Sequence, residues 1–331
     1  MKKKTLTITV LILLLFISAA LSILFGSVRL SFDELINVIS GRTKEGTAYL
    51  LITAVRLPRV LGCILAGIGL SSAGVILQSV MNNALASPGT IGVNSGSGFA
   101  VMVSLLLFPG RMELLSLSAF LGALLTTFFV FLLACFADSS RTTIVLAGIT
   151  ISSFLNAGIN TIKLLNTDVN LNLTTFLVGS LSGLTLRQLY LPGLMILAAF
   201  LISVTLTRAL NILGMGDDIA RSLGLNINLV RFMLLTLSSV MAGSVVSFAG
   251  LLGFVGLITP HICRRLFGND ARFLLPCSAL LGASFVLICD LLGRLIASPY
   301  ELPAGIPLAF IGGPFFLSLL LKKKGGRRVN A

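Results

Sequence analysis

Charged residues are missing from one long stretch of this chain after another, and each stretch is about as long as a helix that crosses a bilayer. About 20 apolar residues reach across the hydrocarbon core. In lipid the backbone must satisfy its own hydrogen bonds, which makes the helix the natural spanning element. Only 11 % of the 331 residues are charged, less than half the roughly 25 % typical of soluble domains. The expected fold is therefore an all-α polytopic membrane protein, with residues 1–331 forming a single membrane domain. Ten transmembrane helices are expected, at about 6–26, 57–80, 92–109, 114–136, 143–164, 190–208, 229–249, 256–267, 273–295 and 306–321. At about 1.5 Å per residue the eighth is too short to cross alone. It is read as a partial span, or a tilted return buried in protein.

The run from Leu6 to Phe25 follows three lysines and has no clear small-x-small cleavage site after it. It is also too long for an ordinary signal-peptide core, so it is read as a retained first span. A net charge of +13 would suggest nucleic acid in a soluble protein, but here it follows from topology, because Lys and Arg collect on the cytoplasmic side. With both termini inside, fifteen of the 24 basic residues face the cytoplasm, among them Lys2, Lys3, Lys4, Arg141, Arg208, Arg264, Arg265 and the Lys322–Arg328 tail. Omitting the short eighth span would put that tail outside. Segments 27–56 and 165–189 are then external, and 209–228 is internal. The five cysteines stand singly in or beside apolar runs, without metal or redox spacing, and read as small packing residues. Gly62, Ala66, Gly69 and Gly74 line span two with small side chains, the pattern that lets membrane helices approach closely.

Three blocks carry a resemblance. The first runs from Arg56-Leu57-Pro58-Arg59 through Ser72-Ala73-Gly74-Val75-Ile76-Leu77-Gln78 to Asn83-Ala84-Leu85-Ala86-Ser87-Pro88-Gly89. The second is Gly250-Leu251-Leu252-Gly253-Phe254-Val255-Gly256-Leu257-Ile258-Thr259-Pro260-His261. The third joins Asp290-Leu291-Leu292-Gly293-Arg294 to Pro299-Tyr300-Glu301-Leu302-Pro303-Ala304-Gly305 and Gly312-Gly313-Pro314. Together they resemble the membrane permease subunits of ABC importers for iron–siderophore complexes, haem and cobalamin. The chain departs from that pattern where the family usually has Arg-Asn-Pro-Leu-Ala: here the run is Asn82-Asn83-Ala84-Leu85-Ala86.

The resemblance implies an ABC type II importer permease fold in a bacterial inner membrane. It also implies a second permease subunit, identical or homologous, two cytoplasmic ATPase subunits and an extracytoplasmic substrate-binding protein. The chain itself is expected to be no enzyme and to bind no cofactor. It has no Gly-x-x-x-x-Gly-Lys-Ser/Thr loop, so ATP and Mg²⁺ are expected on the partner. Ferric siderophore is the favoured cargo, with haem and cobalamin as alternatives.

Site residues follow from the same comparison. The segment about 211–226, with Leu213, Gly214, Gly216, Asp217, Asp218, Ala220, Arg221, Leu223 and Gly224, looks like the family's ATPase-coupling element. Its acidic pair favours a helix start, and an ordinary solvated loop helix is the plain alternative. Thr142 and Thr143, with Asn83 and Leu85, match a cytoplasmic gate, although Thr142 and Thr143 also suit a helix cap. Arg56, Arg59 and Arg294 match residues that dock the binding protein, since a guanidinium can hold a carboxylate through two hydrogen bonds. Headgroup snorkelling for Arg56 and Arg59, and pairing of Arg294 with Asp290 four residues earlier, remain open. Structural roles are expected for Gly250, Gly253 and Gly256 in the close return, for Pro260 and His261 at a helix start, and for Pro303 before the last span. No ligand spacing surrounds His261, so no metal or haem site is expected there. An ion-driven secondary transporter would need ionisable groups near mid-bilayer. Lys163 and Asp290 are the few candidates, both toward helix ends.

Overall fold

The computed structural model describes residues 2–28, 31–111, 113–136, 140–166 and 175–325, and every regular element among them is helical. α1 is Lys2–Leu24, α2 is Phe32–Ile39, and α3 runs continuously over Thr47–Val80. α4 (Val93–Leu107), α5 (Glu113–Phe136) and α6 (Arg141–Leu165) form one side of the bundle. α7 (Leu186–Thr205) leads into two short helices, α8 (Thr207–Gly214) and α9 (Asp217–Ser222). The chain closes with α10 (Ile227–Ala249), α11 (Val255–Phe267), α12 (Ala271–Ile296) and α13 (Gly305–Gly325). Seven helices, α1, α3, α5, α6, α7, α10 and α12, are long and apolar enough to cross a membrane. α4, α11 and the apolar part of α13 are shorter. The end of the bundle that carries the start of α1 is termed the proximal end, and the other the distal end.

α3 begins ten residues before the expected start of the second span. Pro58 lies inside this helix and cannot donate to the preceding turn. A π turn over Leu51–Arg56, closed by the Leu57 N–H on the Ile52 carbonyl, absorbs the mismatch and keeps the helix continuous. The extra turn also brings Arg56 and Arg59 onto the buried face.

α3 is the axis of the bundle, packing against α12, α10, α11 and α7. Apolar side chains gain little from leaving lipid for protein, so close contact has to come from small residues. Gly67 of α3 faces the backbone of Ala283 in α12, and Gly282 faces Ser71 in return. Gly74 lies against the carbonyl of Gly256 in α11. A methyl group at any of these positions would overlap a neighbour.

α11 starts partway through the bundle, and its context explains two expected glycine roles. Gly250 adopts φ +68°, and a side chain there would strike the Phe176 carbonyl. Gly256 is 2.6 Å, at the position of a β-carbon, from the carbonyl of Leu70. Gly253 is not needed for close approach, since nothing lies within 4 Å of that position. Phe254 caps α11 at φ +65°, a strained conformation for a bulky residue, and its ring lies over Gly312 of α13.

Pro260 and His261 were expected to begin this helix; both lie in its middle instead. A mid-helix proline leaves the carbonyl four residues earlier without its usual donor. That carbonyl is Gly256, and Gln78 of α3 donates to it at 3.1 Å. The second half of segment 165–189 also differs from a solvated loop. Leu181 is fully buried, the Ser180 N–H bonds to the Ala249 carbonyl, and the Leu251 N–H bonds to Phe176. Gly305, at the start of α13, donates to the Gly179 carbonyl. Residues 175–184 thus dip back between α10 and α13, while 167–174 lie outside the described residues.

Candidate functional site

Two polar centres stand out, one at each end. The proximal one surrounds a cavity of about 1120 Å³ lined by Gln78, Asn83, Leu85, Asn211, Arg264 and Asp270, among others. α8 lines it through Leu210, Asn211 and Gly214, and α9 follows directly in the chain. Between them Gly216 takes φ +123°, a backbone state that L side chains rarely adopt, so the chain can reverse within two residues. α9 then starts at Asp217 and Asp218 and stops at Leu223-Gly224.

Asp217 is held from two sides. Its Oδ1 accepts from Arg141 Nε at 3.2 Å and Nη2 at 2.8 Å, and its Oδ2 accepts from Arg231 Nη2 at 2.9 Å. Arg141 also donates to the Leu213 carbonyl at 2.7 Å. Partial burial pushes the Asp217 carboxyl up, but the guanidinium groups of Arg231 and Arg141 outweigh it and hold the group below the usual carboxylate range. A second staple lies at the other side of α8. Asn211 Nδ2 donates to Asp270 at 2.9 Å, and Asn211 Oδ1 accepts the Ala271 N–H at 2.8 Å, joining α8 to the first turn of α12. The hydrogen bonds from Asn211 and the Arg272 N–H hold the Asp270 carboxyl low.

The coupling-segment residues divide by face. Leu213 and Ala220 are fully buried and Asp217 is clasped. Met215, Ile219 and Leu223 are exposed at four-residue spacing, with Gly214, Asp218, Arg221 and Gly224 exposed around them. Asn83 and Leu85 are exposed on the cavity wall, and Asn83 Oδ1 accepts the Leu85 N–H. Thr142 is exposed and Thr143 half-buried in the first turn of α6, where Ser140 caps the helix. The two pairs lie on separate elements, Asn83 and Leu85 in the turn after α3 and Thr142 and Thr143 in the first turn of α6. His261 also faces the cavity and sets its ring edge to Phe315 at 6.1 Å. Among the described residues, no group of three or more His, Cys, Asp or Glu could hold a metal ion.

The distal centre corrects the expected positions of Arg56, Arg59 and Arg294, which are only 3–4 % exposed. Arg59 Nε lies 3.0 Å from both oxygens of Asp290, and its Nη1 reaches Glu301 at 2.6 Å. Arg294 pairs with the same aspartate at 3.1 Å, the intrahelical pair considered from sequence, and donates to the carbonyls of Ser22 and Phe25. Arg56 donates to the carbonyls of Ile23, Leu24 and Val28. The last carbonyls of a helix have no donor of their own, so two arginines complete the end of α1 and fasten it to α3 and α12. Their forks point into the chain because those acceptors are already there. Glu301, in the loop before α13, accepts Ser27 Oγ at 2.8 Å. Burial pushes its carboxyl up, but Arg59 and Ser27 hold it below the usual range. Pro303 belongs to that loop, and its carbonyl accepts the Ile306 N–H at 3.0 Å.

Gln78, Asn211, Arg141 and Arg231 carry these centres and were not singled out from sequence. Only Gln78 left a usable signal, since a proline inside α11 demands an outside donor for Gly256.

Comparison with known proteins places this geometry. The profile of the FecCD transport family matches residues 12–322. The Fe(3+)-citrate import system permease protein YfmE of Bacillus subtilis is 39 % identical over 321 residues, covering 96 % of each chain. The hemin transport system permease protein HmuU of Yersinia pestis is 33 % identical over 323 residues, again 96 % of each. A solved inward-facing structure of a metal-chelate type ABC transporter superimposes with a TM-score of 0.85 at 30 % identity, covering 94 % of this chain and 97 % of that one. With its helical bundle, its buried distal arginines and its proximal two-helix segment all within the matched residues, the chain belongs to the FecCD transport family.

Proposed function

We propose that this permease forms the translocation pathway of an ATP-driven importer for iron(III) chelates of the siderophore type. The observation that carries the reading is kinship along the whole chain, at 39 % identity, to a ferric-citrate permease. The haem permease at 33 % identity keeps haem as the second reading. The proximal end is placed in the cytoplasm, where its basic residues Lys4, Arg141, Arg208, Arg264, Arg265 and Arg272 favour it. Thr142, Thr143, Asn83 and Leu85 then lie at the cytoplasmic constriction. A second permease subunit is proposed to complete the pathway. α6 supports this, since only 17 % of its most apolar stretch is buried, against 78 % for α3. A substrate-binding protein is proposed to meet the distal face, whose shape the buried arginine network maintains.

The test is uptake of labelled iron(III) from a panel of chelators, in cells with and without this chain. Loss of siderophore uptake that the wild-type gene restores is expected, and inactivating the partner ATPase should abolish it. Iron uptake unchanged across the panel, with haem uptake lost, would move the reading to haem.

Coupling to two ATPase subunits, which hold ATP and Mg²⁺, is assigned to α8 and α9. The exposed Met215, Ile219 and Leu223 make an apolar stripe of the kind a partner groove receives, while Ala220 on the opposite face has no free surface. Ala220→Leu is expected to lift α9 from the bundle at a cost of about 1–3 kcal/mol. Cargo moved per ATP should fall several-fold in reconstituted vesicles. Unchanged transport by the correctly assembled variant would remove this assignment.

A further inference from the structure

We propose that the Arg141–Asp217 pair is the link by which movement of α8 and α9 reaches the gate helix α6, with Arg231 as its fixed anchor. The inference rests on the permease reading and goes further, by naming residues that position the gate.

Arg141 is the first residue of α6, immediately before Thr142 and Thr143. Its guanidinium spans the coupling segment, holding the Leu213 carbonyl at the end of α8 and the Asp217 carboxylate at the start of α9. The principal packing of α6 is elsewhere, against α4, α5 and the Pro88–Ile91 turn. Polar contact through Arg141 is therefore its main tie to the segment. Arg231 takes the other carboxylate oxygen from the opposite side. It is 1 % exposed and sits on α10, which is packed into α3, α5 and α7.

The three side chains thus differ in mobility. Arg231 belongs to the packed frame, Asp217 to a short surface helix, and Arg141 to the spanning helix with one of the smallest buried shares. When α9 is displaced, the bond to Arg231 resists, whereas the bonds to Arg141 can draw the start of α6 along. A planar fork suits this task, because it transmits direction as well as distance. Acid does not open the link near neutral pH, since both guanidinium groups keep Asp217 ionised.

The experiment uses the complete importer with its ATPase, reconstituted in sealed lipid vesicles. Two distances are followed by paired spin labels through the nucleotide cycle: from Ser222 to the matching position of the second permease subunit across the two coupling segments, and from Thr142 to its matching position across the gate. In the otherwise wild-type importer both distances are expected to change, and failure of nucleotide-dependent uptake there would count against the permease reading itself. In Arg141→Met the Ser222 change is expected to persist while the Thr142 change falls by at least half. Cargo per ATP should drop at least about tenfold, since losing one of the three hydrogen bonds that Arg141 donates is already on that scale. Arg141→Lys keeps the charge without the fork, and an intermediate ratio is expected. It also serves as the readout if Arg141→Met does not assemble. Both distances changing as in wild type would overturn the link. Both changes vanishing together would overturn it too, because Arg141 would then be a static brace.

Discussion

Asp290→Ala is expected to remove most of the folded, monodisperse protein from detergent extracts. Asp290 has no exposed surface, and its carboxylate is shared between Arg59 and Arg294, which are themselves buried. Removing one partner from such a group leaves charge stranded away from water, at about 3–5 kcal/mol. The consequence extends beyond the two arginines. Arg294 also holds the Ser22 and Phe25 carbonyls, so its displacement loosens α1, which packs chiefly on α12. The check is the apparent thermal midpoint by size-exclusion chromatography, alongside Asp290→Ala/Arg294→Met, which removes one of the stranded charges. The double variant is expected to recover part of the loss, because neighbouring groups in one network are not additive. A single variant with wild-type yield and midpoint would show that the network contributes little.

Gly74→Val should rival it through sterics alone. A β-carbon at position 74 would overlap the Gly256 carbonyl, and two bonds prevent α11 from moving aside. Gln78 holds that same carbonyl, and Thr259 donates to Ser71 at 2.8 Å. Separating the helices would break both bonds and expose the donor-less carbonyl that Pro260 creates. Overpacking typically costs about 1–3 kcal/mol, and the lost bonds add about 0.5–1.5 kcal/mol each. Gly253→Ala is the matched control. Its position is open, so a stability within about 0.5 kcal/mol of wild type, and hence an almost unchanged midpoint, is expected. Equal losses from both substitutions would mean that the close approach at Gly74 is not the cause.

The contrast between these glycines shows what was readable along the chain. Gly250, Gly253 and Gly256 look alike in sequence, yet only Gly250 and Gly256 meet a neighbour's carbonyl. The need of a short eighth helix for small residues was legible. Which of them face another backbone depends on where that helix lands against α3. Arg294 and Asp290 were legible as a pair, because four residues on a helix bring side chains to one face. Arg59 was not legible as their third member, since its acceptors lie 231 and 242 residues away. It was read as a docking or headgroup residue, whereas the fold turns it inward to Asp290 and Glu301. Asn83, Leu85, Thr142 and Thr143 were brought together as a gate only through the family resemblance. The clasp joining α6 to the coupling segment needed Arg141 and Asp217, 76 residues apart, to be seen together.

Sequence alone determined the quantities that act locally: the apolar lengths, the gathering of basic charge at one end, and the glycine-bounded acidic segment that becomes α9. Hydropathy, helical period and left-handed backbone positions need only neighbouring residues to be recognised. Tertiary structure alone decided which partner each buried charge takes, which carbonyl Gln78 completes, and how far 175–184 dips into the bundle. Those choices join helices distant in sequence, and inside a bilayer each buried polar group must find its acceptor within the protein, wherever the fold brings one near.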